Sequence, residues 1–144
     1  MYIRRLQKED VSVDGDFIRI LDQLSSSDVR LDLNAILWNQ YKMQTHTHVV
    51  VAVDNDVVIG TGSIFIEQKF LRCGGIVGHI EDVVVDKASR VTGVGRIIIN
   101  HLIDIAKSNS CYKVILNCSD HNVGFYDKCG FRLSGNEMRM DIDG

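Results

Sequence analysis

Residues 79–101 read HIEDVVVDKASRVTGVGRIIINH, a β-branched run followed by a glycine pair and an apolar repeat. The run at 81–85 predicts a strand, and the helical spacing of the repeat predicts a helix that begins at Gly93. Two arginines, Arg90 and Arg96, flank Gly93 and Gly95. The free amides and the dipole of a helix start attract anions, and glycine lets a ligand approach the backbone. The segment therefore predicts a site for an anion such as a pyrophosphate.

Two other glycine-rich phosphate motifs do not fit this segment. A P-loop ends in Gly-Lys-Ser or Gly-Lys-Thr, and neither occurs here. The dinucleotide fingerprint needs three spaced glycines in a parallel βαβ unit, whereas a predicted antiparallel hairpin precedes this loop. A glycine-rich turn without a ligand remains the alternative interpretation, since short motifs also match by chance.

Outside this segment, the spacing of apolar residues alternates between extended and helical patterns. Strands are predicted at 2–6, 48–53, 57–67, 76–85, 113–117 and 137–141. Helices are predicted at 17–24, 33–41 and 122–128, besides the one that begins at Gly93. This order of elements indicates one mixed α/β domain over residues 1–144.

Composition argues against several classes of function. The 144 residues carry a formal net charge of −3, so nucleic acid is not expected as the main partner. No apolar run approaches the roughly 20 residues that a membrane helix needs, and no membrane association is predicted. The four cysteines match no zinc spacing, and no metal site is predicted. They are interpreted as reduced cysteines of a cytoplasmic protein, with Cys118 in a structural role.

Two motifs resemble those of the GNAT acetyltransferase superfamily. One is Arg90-x-x-Gly93-x-Gly95 after a strand of a mixed sheet, and the other is NVGFYDKCGF at 122–131. The pieces EQKF at 67–70, GHIEDV at 78–83 and CYK at 111–113 further resemble glucosamine-6-phosphate N-acetyltransferases. The resemblance implies an α/β fold with a mixed, mostly antiparallel central sheet flanked by helices and a splayed central strand pair.

The resemblance also implies an activity. Such an enzyme transfers the acetyl group of acetyl-CoA directly to the amine of D-glucosamine 6-phosphate, without an acetyl-enzyme. The products are CoA and N-acetyl-D-glucosamine 6-phosphate, in the biosynthesis of UDP-N-acetylglucosamine.

The same resemblance assigns residues to acetyl-CoA. The backbone of Val83, Val84 and Val85 would pair with the pantetheine arm. The pyrophosphate would be bound by Arg90, Val91, Thr92, Gly93, Val94, Gly95 and Arg96. Asn117 would lie beside the pantetheine, at a position where related enzymes often have a carboxylate. Tyr126 would donate a proton to the departing CoA thiolate, although a tyrosine that only packs on its helix would fit the same motif.

Acceptor residues are also implied by the resemblance. Glu81 and Asp82 would lie near the sugar, and as neighbours in a strand they are expected on opposite faces. The full set for sugar and phosphate is Ser25, Lys69, Phe70, Leu71, Arg72, Glu81, Asp82, Val83, Tyr112, Lys113 and Arg139. The resemblance further implies a homodimer whose subunits share the sugar site, with Phe70, Leu71 and the C-terminal strand at the interface.

Two other functions remain open from the sequence. An acetyltransferase of the same fold for proteins, polyamines or another amine would need an acidic groove, which Lys69, Arg72 and Lys113 argue against. A CoA-binding module without turnover is kept open by Asn117, because it replaces a common carboxylate.

Overall fold

The computed structural model describes residues 1–12, 15–25 and 31–143. Its strands are β1 Tyr2–Arg5, β2 Thr47–Asp54, β3 Val57–Gln68, β4 Ile76–Val85 and β5 Cys111–Ile115. Its helices are α1 Asp16–Leu24, α2 Leu31–Met43, α3 Leu71–Gly74, α4 Val94–Ser108 and α5 Val123–Lys128. Short 3-10 turns lie at Lys8–Val11 and Asp120–Asn122. α3 is a single turn in which Arg72 and Cys73 have left-handed backbone angles, with φ of 55° at each.

The five strands form one mixed sheet in the order β1-β2-β3-β4-β5. The first three pairings are antiparallel, and the pairing of β4 with β5 is parallel. Asn55 and Asp56 connect β2 to β3 with φ of 50° and 62°. Two positive φ angles are typical of the tight hairpin turns whose twist matches that of the strands, and Asn and Asp tolerate them well. The sheet confirms the predicted fold class.

Helices cover both faces of the sheet. On one face α4 packs so closely on β3 that a Cβ added to Gly60 or Gly62 would lie 2.9 or 2.8 Å from side-chain atoms of Ile98. Ile98 and Leu102 are completely buried there. On the other face, Ile20 of α1 is completely buried in a second cluster with residues of β2 and β3. The two glycines thus let α4, which begins at the predicted anion loop, lie directly on the sheet.

β4 and β5 separate part-way along their length. Their pairing ends at His79 and Ile115, while β4 continues to Val85. Beyond His79, this side of β4 has no strand partner in the ranges that the structure describes. The separation opens a cleft, which confirms the splayed strand pair.

A bulge at Asp82 adds to the distortion of β4. Asp82 has a φ of 51°, and the register with β3 shifts between Thr61 and Ser63. Thr61 lies opposite Val84 and Ser63 opposite Glu81, so two residues of β4 face one residue of β3. A bulge of this kind bends a strand and redirects its side chains.

One element prediction is wrong, and the bounds of another are shifted. Residues 137–141 form no strand, and side chains there are exposed, with Met138 at 93% and Met140 at 82%. Alternation alone does not make a strand, because its backbone groups need a neighbouring strand. The strand predicted at 113–117 begins and ends two residues earlier, at Cys111–Ile115, because β5 leaves the sheet where β4 diverges from it.

Candidate active site

Two cavities lie in the cleft beside the free half of β4. The loop cavity, of 360 Å³, is lined by Val83, Val84, Val85, Val91, Gly93, Val94, Gly95, Arg96, Asn122, Phe125 and Tyr126. The carboxylate cavity, of 310 Å³, is lined by Leu24, Ile80, Glu81, Asp82, Val83, Leu116, Asn117, Cys118, Ser119, Asn122 and Tyr126. Val83, Asn122 and Tyr126 belong to both linings. The cavities therefore meet at these three residues.

The start of α4 forms one wall of the loop cavity. Gly93 is its N-cap and has a left-handed φ of 76°, which glycine adopts without strain. The amides of the first helical turn have no acceptor within the helix, and they carry the positive end of its dipole. The start of α4 therefore has the backbone geometry that the predicted anion site requires.

Packing within the protein explains why residue 95 is a glycine. A Cβ at Gly95 would lie 3.1 Å from Cζ of Phe125, whereas a Cβ at Gly93 would meet nothing within 4 Å. Phe125 thus packs against the first turn of α4 and joins it to α5. The two glycines differ accordingly: Gly95 gives space to a side chain, and Gly93 gives the backbone its turn.

The predicted pyrophosphate residues are only partly brought together. Val91, Gly93, Val94, Gly95 and Arg96 line the loop cavity. Arg90 and Thr92 are exposed and do not line it.

The three valines of β4 line the loop cavity. Val83, Val84 and Val85 lie on the part of β4 that has separated from β5. Their side chains are partly buried, with Val84 packed against the α1 core and the other two against the α4 core. Core packing and a free backbone edge therefore coexist in this segment.

Glu81 and Asp82 both border the cleft. Both are exposed and both line the carboxylate cavity. Ile80 and Val83 line it as well, so the cavity runs along the edge of β4 and takes residues from both faces of the strand. The placement of the two carboxylates on opposite faces stays a prediction.

Tyr126 lies where the two cavities meet. Its ring packs edge-on against Phe125 and Phe131, with centroid distances of 4.9 and 6.0 Å. Burial is the main cause that raises the pKa of its phenol, and nearby Cys118 and Cys129 raise it further. Since the ordinary pKa of tyrosine is about 10, the phenol is protonated at neutral pH and can donate a proton.

The basic residues predicted for phosphate binding lie at the other end of β4. The Arg72 guanidinium stacks 4.5 Å from the centroid of the Tyr112 ring, and the Lys113 ammonium lies 5.6 Å from it. Gly75 makes room for this arrangement, because a Cβ there would lie 2.9 Å from Cε1 of Tyr112. Lys69 forms an ion pair of 3.3 Å with Glu67.

One chain does not bring this basic cluster to the carboxylate cavity. Lys113 pairs with Val77, which is five residues before Asp82. At about 3.3 Å per residue, the two places are roughly 16 Å apart along the strand.

The remaining acceptor residues also lie outside the cavity linings. Ser25 follows α1 and is exposed, although its neighbour Leu24 does line the carboxylate cavity. Phe70 and Leu71 are exposed in the turn before β4. Arg139 forms an exposed ion pair of 2.7 Å with Asp141.

Comparison with known proteins decides the family. The model of the Acetyltransferase (GNAT) family matches residues 16–131. The chain belongs to the GNAT acetyltransferase family. The recognition made from the two motifs is confirmed, and the acetyl donor of this family is acetyl-CoA.

Relatives of this GNAT chain share a common name. The glucosamine 6-phosphate N-acetyltransferase of Arabidopsis thaliana is 37% identical over 148 residues, covering 98% of this chain and 96% of the relative. A probable glucosamine 6-phosphate N-acetyltransferase of Oryza sativa subsp. japonica is 39% identical over 144 residues, covering 96% of this chain and 86% of the relative. The crystal structure of the Arabidopsis thaliana enzyme superposes with a TM-score of 0.90 at 35% identity, covering 99% of this chain and 98% of that one. The resemblance to this group of GNAT enzymes is confirmed.

Sequence reasoning missed several residues of the GNAT cleft. Asn122 lines both cavities, and its Nδ2 donates a hydrogen bond of 3.2 Å to Oγ of Ser119. Cys118 is exposed and lines the carboxylate cavity rather than being enclosed in a strand end. Leu24 was hidden because only the folded chain brings the end of α1 to β4. Asn122 could have been found, since it opens the NVGFY motif.

Two further findings concern metals and membranes. Within residues 1–12, 15–25 and 31–143, no group of three or more His, Cys, Asp or Glu side chains could hold a metal ion. The helices found in those ranges are all too short or too polar to cross a lipid bilayer.

Proposed function

We propose that this chain acetylates the amine of D-glucosamine 6-phosphate with acetyl-CoA, giving N-acetyl-D-glucosamine 6-phosphate and CoA. The observation that carries the proposal is the meeting of the two cavities at Tyr126: a helix-start anion site lies on one side and a carboxylate pair on the other. The relatives that cover nearly the whole chain carry the name of this reaction. The product belongs to the route toward UDP-N-acetylglucosamine.

On the donor side, the backbone of the chain does most of the binding. The first-turn amides of α4 and the Arg96 guanidinium hold the pyrophosphate. The free edge of Val83, Val84 and Val85 pairs with the amides of the pantetheine arm. A backbone amide of the bulged strand polarises the thioester carbonyl and stabilises the negative charge that develops on its oxygen. Asn117 contributes an amide to the cavity wall and can donate or accept a hydrogen bond there.

The transfer is direct and needs the neutral amine. Glu81 or Asp82 orients the amine or the sugar hydroxyls, while Tyr126 donates its phenolic proton to the departing CoA thiolate. The amine attacks the thioester carbon to form a tetrahedral intermediate, whose collapse breaks the C–S bond. The proton that the amine nitrogen loses returns through water to the Tyr126 phenolate, which has given its own proton to the CoA thiolate. Cys118 lies in the cavity and is the group that would carry an acetyl-enzyme instead. Direct transfer predicts that Cys118→Ser keeps turnover within about threefold, and loss of turnover would favour the covalent route.

The acceptor is tested with a panel of amines. CoA release is measured with D-glucosamine 6-phosphate, glucosamine, polyamines and lysine peptides at matched concentrations. Preference for the sugar phosphate by at least tenfold in kcat/KM is expected. Preference for peptides or polyamines would replace the proposal with another GNAT activity, and tight CoA binding without any transfer would favour a binding module.

We infer a homodimer because a single chain leaves the acceptor site incomplete. Arg72, Tyr112 and Lys113 do not line the carboxylate cavity of their own chain, and a second copy placed against the cleft would supply basic side chains to it. The C-terminal segment supports this inference, since Met138, Met140 and Ile142 form an exposed apolar row at every second residue. Beside it, a groove of 650 Å³ runs between β5 and residues 129–137. An extended segment can add to a free strand edge of a second copy.

Mixing two impaired variants, assayed at a sugar phosphate concentration far below the KM of Lys113→Ala, tests the shared site. Tyr126→Phe and Lys113→Ala chains are unfolded together, refolded as a mixture and assayed. If the site takes Tyr126 from one subunit and Lys113 from the other, each mixed dimer has one intact site and activity returns. If both residues act within one chain, every site carries a defect and no activity returns. A monomer by light scattering at assay concentration would also contradict the inference.

Two further expectations belong to this proposal. Residues 1–144 act as one N-acetyltransferase domain. A cytoplasmic location rests on the four cysteines, all of which are free thiols.

A further inference from the structure

Asp86, the first residue after β4, carries a buried carboxylate outside both cavities. Its side chain is 7% exposed. Its oxygens accept hydrogen bonds from Nη2 of Arg19 at 2.8 Å, Nε2 of Gln23 at 3.0 Å and the backbone N–H of Ala88 at 3.0 Å. Arg19 is the main cause that holds the pKa of Asp86 well below its ordinary value, followed by Gln23 and Ala88. The carboxylate is therefore charged and fully engaged at neutral pH.

The same bonds fasten α1 to the loop that leads to the anion site. Arg19 and Gln23 are four residues apart and lie on one face of α1. Gln23 bonds twice, because its Oε1 also accepts a hydrogen bond of 3.0 Å from the backbone N–H of Lys87. Asp86, Arg19, Gln23 and the two loop amides form a unit that we call the Asp86 clasp.

The clasp lies between the walls of the two cavities. Leu24, the residue after Gln23, lines the carboxylate cavity. Val85, the residue before Asp86, lines the loop cavity, and so does Val91 further along the same loop. The clasp therefore connects one wall of each cavity, although Asp86 itself lines neither.

We propose that Asp86 is a positioning residue that holds the acceptor wall at the end of α1 and the cofactor loop at a fixed separation. The proposal rests on the acetyl transfer proposed above only for the kinetic readout. Its physical basis is rigidity: reacting groups must be held within about half an ångström of their productive geometry, and charged, buried hydrogen bonds hold such positions well.

Three variants test the clasp. Asp86→Asn removes the charge that pairs with Arg19. Gln23→Met keeps the length and packing of the side chain and removes both of its hydrogen bonds. Asp16→Asn is the matched control, because Arg19 also makes an exposed ion pair of 3.1 Å with Asp16. KM for each substrate, kcat, the thermal midpoint and the calorimetric Kd for CoA are measured on all three.

We expect Asp86→Asn and Gln23→Met to raise KM for both substrates by about fivefold or more, with a smaller fall in kcat. In the control Asp16→Asn, KM for both substrates and kcat stay within twofold of the wild-type values. A KM within twofold of wild type for either substrate in folded Gln23→Met would overturn the proposal, and so would an equal effect of Asp16→Asn. If Asp86→Asn does not fold, Gln23→Met decides.

The calorimetric measurement separates this proposal from the proposed acceptor. If wild-type protein does not acetylate the sugar phosphate, the acceptor assignment fails while the Kd for CoA still reports on the loop. A Kd that rises about fivefold in Gln23→Met and is unchanged in Asp16→Asn supports the clasp, and an unchanged Kd in Gln23→Met refutes it.

Discussion

The two ends of β4 differ in what surrounds them. At its C-terminal end β5 has moved away, and Tyr126 closes a cleft with two cavities. At its N-terminal end β5 is still paired to it, and the Arg72, Tyr112 and Lys113 cluster lies there. Lys113 also lines the 650 Å³ groove beside β5. The first end brings the residues proposed for the acetyl transfer together within one chain. The second end presents the basic side chains that are proposed to bind the phosphate.

The largest effect is expected at the C-terminal end. Tyr126→Phe removes the proton donor and keeps the ring between Phe125 and Phe131, so kcat should fall about 100-fold. The Kd for acetyl-CoA should stay within twofold, because the phenol contributes little to the ground state. Steady-state kinetics and calorimetry measure both, with Tyr2→Phe as a control on an exposed tyrosine. Equal turnover in the two variants would remove Tyr126 from the mechanism.

The N-terminal end should respond in affinity rather than in turnover. Lys113→Ala is expected to raise KM for D-glucosamine 6-phosphate about tenfold, since a hydrogen bond to a charged group contributes roughly 1.5–3 kcal/mol. KM for unphosphorylated glucosamine should not change. Lys107→Ala serves as the control, because Lys107 is a 75% exposed lysine of α4. A similar loss with both sugars would mean that this end of β4 does not bind the phosphate.

Two matched glycine variants distinguish the loss of the proposed anion site from the general effect of backbone strain. Gly93 and Gly135 both have a φ of 76°, and an added Cβ would meet nothing within 4 Å at either place. Valine costs about 1–3 kcal/mol of strain at such a φ, so both variants should lose stability. Only Gly93→Val should also weaken CoA binding, by about fivefold. If Gly135→Val weakens it equally in calorimetry, the start of α4 is not the anion site.

The smallest effect concerns acid stability at the C-terminal end. The pKa of Asp86 is lower in the folded chain than in the unfolded one, where it is about 3.9. The stability that follows from this difference is present above about pH 4 and is lost as the pH falls toward the folded pKa. Asp86→Asn should therefore lower the thermal midpoint by a few degrees at pH 7 and less at pH 3. Asp104→Asn is the control, since that carboxylate is 73% exposed, and it should show no such pH dependence.

The segment around Glu81 and Asp82 shows a feature that strand periodicity does not predict, namely the bulge in β4. The alternating pattern predicts a regular strand through Glu81 and Asp82. The structure instead has a positive φ at Asp82 and a register shift against β3 there. Bulges depend on the neighbouring strand as well as on the local sequence, so a single strand pattern does not reveal them.

The C-terminal segment shows the same dependence on a neighbour. Met138, Met140 and Ile142 alternate as in a strand, yet the described chain offers them no partner and they stay exposed. Alternation reports that one side of a segment prefers to be buried. It does not report which surface buries it.

The sequence by itself determined the elements that local chemistry controls. Hydrophobic periodicity fixed most helices and strands, and Gly93 fixed the start of α4, because helix starts and left-handed turns depend on a few adjacent residues. Only the tertiary structure decided which side chains meet. Leu24, Glu81, Asp82 and Tyr126 share a cleft because β4 and β5 diverge, and Asp86 is buried because α1 lies against the end of β4. Such meetings depend on contacts between residues far apart in the chain, which no local pattern encodes.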